Sequence, residues 1–288
     1  MASQTCYHVR SNSLPSRPHP LASDIDEHLS RLRSFEATST SSTSISQKLN
    51  GLQDLHDCAD KFLQLPLTQE ALSQQKSRKW VDELLDGSLQ ILDICHFAQD
   101  TVLKAKESTI KLQSVLRRRH GGEAEIVAEL KKYLTSRKAV KKAISKALAK
   151  LKTMEAKCTS SSPSDQSQTK AIVGMLKQVE AVTLSVFESL LSLIYGTMDQ
   201  SNTKSWSLVS KLIGLKRIAC EEEERNINEF EKVDAAVKMI KSEIVIHKEM
   251  QSQLSNLESC ILDLEEGLNC LSRHLIKIRV SLLNILNH

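Results

Sequence analysis

The chain has 288 residues, a formal net charge of +4, 40% hydrophobic residues and only 3% aromatic ones. With 8 Gly and 5 Pro it lacks the closely spaced turn residues that β-sandwiches and most α/β folds require. Collagen, knottin and porin classes are excluded on the same grounds, and the length allows one large domain or two modest ones with a real core.

Residues 1–20 are polar and punctuated by Pro15, Pro18 and Pro20, the composition of a disordered tail. Asp24 is placed to cap a short helix over 25–36. The run Thr38-Ser39-Thr40-Ser41-Ser42-Thr43 reads as a polar hinge. A helix is predicted over 44–65, stopped by Pro66, with a short one over 69–75.

From Trp80 the apolar spacing is strongly helical. Trp80, Leu84, Gly87, Ile91, Ile94, Ala98, Thr101, Ala105, Ser108, Leu112 and Val115 follow alternating steps of 4 and 3, one face of a long helix. Arg117-Arg118-Arg119-His120-Gly121-Gly122 ends it, with cations suited to the helix C-terminus and Gly to the left-handed residue beyond. A second helix carries Ile126, Leu130, Tyr133, Arg137, Val140, Ile144, Ala147, Leu151 and Met154 at the same spacing. Residues 158–169 (CTSSSPSDQSQT) form a linker, or a long loop within one bundle, between a helical half at 21–157 and another at 170–288.

In the second half, Ile172, Leu176, Val179, Thr183, Val186, Leu190 and Leu193 make one stripe, widened by Phe187, Leu191 and Ile194, which marks a central helix. Asn202-Thr203 reads as a turn before a helix carrying Trp206, Val209 and Ile213. From Glu221 to the end there is no Pro and only Gly267. There Leu257, Ile261, Leu264, Leu268, Leu271, Leu275, Ile278, Leu282 and Ile285 form an unbroken heptad seam. With Ile261 at a, the b positions Leu262, Ile276 and Leu283 are apolar too. That stripe is wider than a two-stranded coil needs and fits packing inside a multi-helix bundle, of a monomer or of a homodimer's protomer. The expected fold is all-α: an elongated multi-helix bundle with long antiparallel helices and a coiled-coil-like C-terminal helix.

The seven cysteines show no CxxC pair and read as reduced, buried thiols. The N-terminus has no apolar signal-peptide core. Its acid-free, Ser-rich start also fits an organellar transit peptide, as a minor alternative to a cytoplasmic protein. The most apolar stretch, 179–195, contains Glu180 and Glu188 and is short for a membrane span, so no transmembrane helix is expected.

No GxGxxG, P-loop, GxSxG, HExxH or EF-hand pattern is present. Asp93 and His96 lie one helical turn apart but lack further ligands at matching spacing. His56 beside Asp54 and Asp57 is the same case, a histidine next to an apolar stripe. The expectation is a non-enzyme with no metal and no cofactor.

Charge is more informative. Residues 111–157 hold 14 basic and 4 acidic residues, a net of +10. The basic patch is Lys131, Lys132, Arg137, Lys138, Lys141, Lys142, Lys146, Lys150 and Lys152, mostly off the apolar stripe. It reads either as a solvated helix face or as a surface for anionic lipid or an acidic partner. Nucleic acid fits less well, since no aromatic residues interleave the lysines. The acidic block Glu221–Glu224 is a possible intramolecular counterpart. In the tail, Arg10, Ser11, Ser13 and Pro15 spell R-S-x-S-x-P. A phosphate on Ser13 would match the pattern that Arg clusters of 14-3-3 proteins capture.

The segments YHVRSNSLPSRPHP at the start, LPLTQ around Pro66, KWVDELLDGSLQILDIC at 79–95 and SRKAVKKAISKALAKLK at 136–152 resemble, in order, the plant domain-of-unknown-function family that includes the BYPASS proteins. The resemblance covers nearly the whole chain. It implies a land-plant source, an all-helical protein, a link to root and shoot development and no catalytic residues. It also argues against the transit peptide, since Tyr7 to Pro20 belongs to the family pattern.

Three functions follow from these residues. The first is a helical interaction protein with a phosphorylated tail and a protein partner. The second is a peripheral membrane protein using the basic helix. The third, least supported, is an enzyme.

Overall fold

The structure, a computed structural model, describes residues 19–35, 41–73, 78–118, 123–159, 168–196, 227–239 and 247–287. Among these the regular structure is all helical: α1 (Pro20–Ser34), α2 (Ser42–Leu63), α3 (Pro66–Ser73), α4 (Arg78–Arg117), α5 (Glu123–Thr159), α6 (Gln168–Tyr195), α7 (Glu229–Met239) and α8 (His247–Asn287). The tail residues Arg10, Ser11, Ser13 and Pro15, most of the 158–169 linker, the segment with Trp206, Val209 and Ile213, and the acidic block at 221–224 lie outside the described residues.

Helix ends follow local chemistry, and three differ from the sequence reading. α1 begins at Pro20, five residues before the expected start. His19 caps it, its Nδ1 accepting from the Leu21 amide at 3.2 Å, and a proline in the first turn removes an N–H that would lack a helical acceptor. α2 begins inside the expected hinge, because Ser41 Oγ accepts the Ser44 amide at 3.2 Å, the ordinary work of an N-cap serine. Pro66 both follows α2 and opens α3, so the short helix starts three residues earlier than expected. At the end of α6, Gly196 takes φ +78°, a left-handed conformation that glycine adopts without penalty. Asn228 caps α7, accepting the Glu231 amide at 3.0 Å and donating to the Leu193 carbonyl at 3.2 Å.

The buried side chains form one contiguous cluster to which α1 through α8 all contribute. α4 and α8 pack along one another antiparallel, as the pairs Gln99–Asn269, Gln113–Glu258 and Arg279–Ser88 show. α2 lies parallel to α8, with Gln53 reaching the Gly267 carbonyl and Ser281 reaching Asp60. At about 1.5 Å per residue, the 41 residues of α8 run about 60 Å. Leu257, Ile261, Leu264, Leu268, Leu271, Leu275, Ile278, Leu282 and Ile285 are all buried, packed in the chain's own bundle against α2 and α4. Of the b positions, Leu262 and Ile276 are exposed, which leaves the buried stripe narrower than the sequence suggests.

α6 has the length and composition to cross a membrane, and 56% of its most apolar window is buried inside the protein. Phe187, Leu190, Leu191 and Ile194 are fully enclosed, as expected of a central bundle helix. Where α4 meets α6, a Cβ on Gly87 would collide with the Glu180 carboxylate, so the missing side chain permits the close approach.

Candidate functional site

The basic helix α5 packs on α4, α6 and α7, and its cations divide into two groups by helical angle. The apolar stripe Leu130, Tyr133, Val140, Ile144, Leu151 and Met154 is buried. Lys131, Lys138, Lys142, Lys146 and Lys150 are exposed on the opposite side and make no ion pair among the described residues. At 100° per residue Lys131, Lys138, Lys142 and Lys146 fall within about 80° of one another. They therefore form one cationic face. Lys132 is exposed but pairs with Glu129 at 3.0 Å, and Lys152 is exposed.

Arg137 and Lys141 belong to the other group and correct the reading of the patch as a uniform surface. Arg137 occupies a stripe position and is 6% exposed. Its Nε donates to Asp234 of α7 at 2.9 Å, and its Nη2 donates to the Ile194 carbonyl at 2.5 Å. Its guanidinium also lies 5.0 Å from the Phe230 ring centroid, an attractive arrangement for a desolvated cation. Lys141 meets the other Asp234 oxygen at 2.9 Å and lies over Tyr195. Tyr133 completes the cluster, its hydroxyl 3.5 Å from Asp234. Burial and the Asp234 charge push the Tyr133 phenol up. Arg137 Nη1 is buried without a hydrogen-bond partner among the described residues. A buried cation is retained when it is paired and hydrogen-bonded, and Asp234 is that pair. Its position at a stripe spacing between Tyr133 and Val140 was the available signal. The identity of the partner, 97 residues away, was not readable.

A second polar cluster joins α2 to α8. Asp60 is buried and accepts from Ser281 Oγ at 2.7 Å and Gln64 Nε2 at 2.7 Å, with Lys277 at 2.9 Å. These donors satisfy both carboxylate oxygens and leave the group structural.

His56 lies in the apolar interior, in line with its reading as a histidine beside an apolar stripe, and is more deeply buried than that reading has it. Asp54 and Asp57 face outward toward Arg31 and Lys61, while His56 is 3% exposed. Its Nε2 lies 2.9 Å from Thr183 Oγ1 on α6. The Thr183 hydroxyl hydrogen is already given to the Val179 carbonyl at 2.7 Å, so Nε2 is the donor to Oγ1 and Nδ1 is a bare acceptor. Nδ1 is buried with no partner among the described residues. Burial, reinforced by His274, lowers the imidazole pKa to about 3, which keeps the ring neutral.

Asp93 and His96 are both exposed, and among the described residues no group of three or more His, Cys, Asp or Glu is placed to hold a metal. Cys58, Cys95, Cys260 and Cys270 are free thiols, and burial pushes Cys95 and Cys260 up to about 12. Such thiols are poor nucleophiles.

Comparison with known proteins gives one family. Neither the comparison with curated proteins nor that with solved structures yields a match. The family model described as Protein BPS1 matches residues 48–285, from the second turn of α2 to the last turn of α8, and so covers both polar clusters, the basic helix and the whole seam. It is a domain of unknown function and not a known enzyme family. With its model spanning most of the sequence, the chain belongs to the BYPASS family.

Proposed function

We propose that this protein is a non-catalytic interaction protein acting in the regulation of root and shoot development, and that it docks peripherally on an anionic membrane surface through α5. One observation supports the docking face: Lys131, Lys138, Lys142, Lys146 and Lys150 lie on the exposed side of a helix whose inward cations Arg137 and Lys141 are held by Asp234. Lysines near an anionic leaflet contribute about 1 kcal/mol each, and their attraction is screened over about 10 Å at 0.1 M salt. Such a face supports the reading of a peripheral protein at the cytoplasmic side of a membrane. The developmental role rests on the family resemblance alone.

The test is flotation with neutral and phosphatidylserine-containing vesicles at low and high salt. Binding should require the anionic lipid and fall with salt. Changing Lys131, Lys138, Lys142 and Lys146 together to Gln should weaken it about 10³-fold, from about 1 kcal/mol per lysine. Undiminished binding by that variant would refute the assignment of the face.

A second reading is supported by the spacing of Arg10 and Ser13 before Pro15. A phosphorylated Ser13 suits capture by a 14-3-3 protein, and Ser13→Ala should abolish that capture. The two handles are independent, one in the tail and one on the bundle.

A further inference from the structure

We infer that the outer face shared by α4 and α8 is a docking site for a basic amphipathic helix of another protein. Exposed apolar side chains are ordinarily scattered over a folded protein, and a contiguous set marks an interaction surface. Six of the nine large apolar side chains that stand well exposed among the described residues lie on these two helices. They are Leu89, Leu103, Ile110, Leu262, Ile276 and Val280, each 43% to 49% exposed.

Polar pairs between the two helices bring these side chains together. Lys106 meets Glu265 at 2.5 Å. Leu103 and Ile110 stand one turn to either side of Lys106, and Leu262 stands one turn before Glu265. Arg279 meets Ser88 at 2.7 Å. Leu89 follows Ser88, Val280 follows Arg279, and Ile276 lies one turn before Arg279. Two apolar clusters therefore lie in line along the groove between the helices, with the Gln99–Asn269 pair between them. On α4 the row is Leu89, His96, Leu103 and Ile110, in steps of seven. It runs about 32 Å, the length of three heptads. A groove of this form takes the apolar stripe of a third helix.

Charge decides which helix fits. Asp86, Asp93, Asp100 and Glu107 are all exposed and repeat with the same step, each three residues before a member of the row. Three residues back is about 60° around the helix. The side chains that reach α8, Gln99, Lys106 and Gln113, lie about 60° to the other side of the row. The acids therefore rim the groove along its edge away from α8. Glu107 is tied to Lys111 at 3.9 Å, and the three aspartates make no ion pair among the described residues. A helix with Lys or Arg at every seventh position of its flank meets that rim, as flanking charges select partners in coiled coils. On the α8 rim the exposed charges change sign, Glu266 and then Arg273, so a second copy presents no row of cations to match the aspartates. The same aspartates repel an anionic bilayer. This face is separate from the α5 lysines and the Ser13 tail, and the experiments on those do not bear on it.

The test titrates the full chain with two synthetic helices about three heptads long. Both carry Leu along the groove-facing stripe; one is flanked by Lys and the other by Glu. Calorimetry should show binding of the lysine-flanked helix and not of the glutamate-flanked one. The comparison is repeated with Lys131, Lys138, Lys142 and Lys146 changed to Gln, which removes α5 as a second place for the glutamate-flanked helix. Leu103→Ser with Ile276→Ser should weaken the lysine-flanked helix about tenfold or more, because both lost side chains would be covered by it. Asp86→Lys, Asp93→Lys and Asp100→Lys together should switch the preference to the glutamate-flanked helix. All five positions are exposed, so these variants should keep the wild-type thermal midpoint. Failure of the lysine-flanked helix to bind, equal binding of both helices in the α5 variant, or undiminished binding after Leu103→Ser with Ile276→Ser would overturn the proposal. So would a wild-type chain that sediments as a dimer and is dispersed by that double change, since the face would then belong to a second copy. The comparison of the two helices on the unmodified protein stands even where a variant folds poorly.

Discussion

Asp234 accepts Arg137 Nε on both of its carboxylate oxygens, at 2.9 and 3.2 Å, and so binds α7 to the inner face of α5. Both side chains are almost fully buried, which makes the pair a structural fastening. α7 is only 11 residues long, shorter than a helix that is stable in isolation, so it depends on this pair and on Phe230, Val233 and Val237 in the core.

Removing one partner strands a buried charge. Asp234→Ala should lower unfolding stability by about 3–5 kcal/mol, measured by urea denaturation. The double change Arg137→Met with Asp234→Leu should cost far less than the single one, since both charges leave together. A double variant as unstable as Asp234→Ala would show that the cluster contributes through packing alone.

The lysines on the outer face of the same helix should behave in the opposite way. Lys138→Gln, Lys142→Gln and Lys146→Gln should each stay within about 0.5 kcal/mol of the wild type, because exposed charges without partners hold little folding energy. Thermal or urea midpoints check this directly, and they separate the two groups of cations on α5 without reference to any ligand.

His56 gives a pH dependence with a definite sign. Its folded pKa is about 3 against an unfolded value of 6.5. Between those values the unfolded chain binds a proton that the folded protein refuses, so stability is full above pH 6.5 and declines as pH falls toward 3. The slope from this one group is at most about 1.4 kcal/mol per pH unit. Comparing the stability–pH curves of wild type and His56→Leu isolates it: the variant should be flatter in that window, and parallel curves would count against a neutral buried ring.

The seam of α8 distinguishes a bundle from a surface coil. Leu268 is fully buried and Leu262 is 45% exposed. Leu268→Ala should cost about 2–5 kcal/mol, and Leu262→Ala less than about 0.5 kcal/mol. Because the seam is covered by α2 and α4 of the same chain, the midpoint of Leu268→Ala should not vary with protein concentration, as an unfolding series at several concentrations can show.

Much of the fold was legible. Low Gly and Pro content and apolar steps of 3 and 4 placed α4, α5, α6 and α8, since a 3.6-residue period leaves a direct trace in sequence. The starts of α1, α2 and α3 were less legible. There the outcome turned on which of several adjacent polar residues served as cap: His19 rather than Asp24, and Ser41 within a run of Ser and Thr. Pro66 was read as a stop but also serves as a start, because proline suits the first helical turn.

The candidate site was legible in its outline and not in its division. Composition and spacing alone determined an all-helical chain, a central apolar helix, a continuous seam and a strongly basic helix, because each of these is a property of residues near one another along the chain. Tertiary structure alone decided that Arg137 and Lys141 face a carboxylate while Lys138 and Lys142 face solvent, and that His56 meets Thr183 instead of its neighbours Asp54 and Asp57. Those outcomes depend on pairings across 93 to 127 residues. Such pairings are set by how helices register against one another, and side-chain periodicity within a single helix carries no record of them.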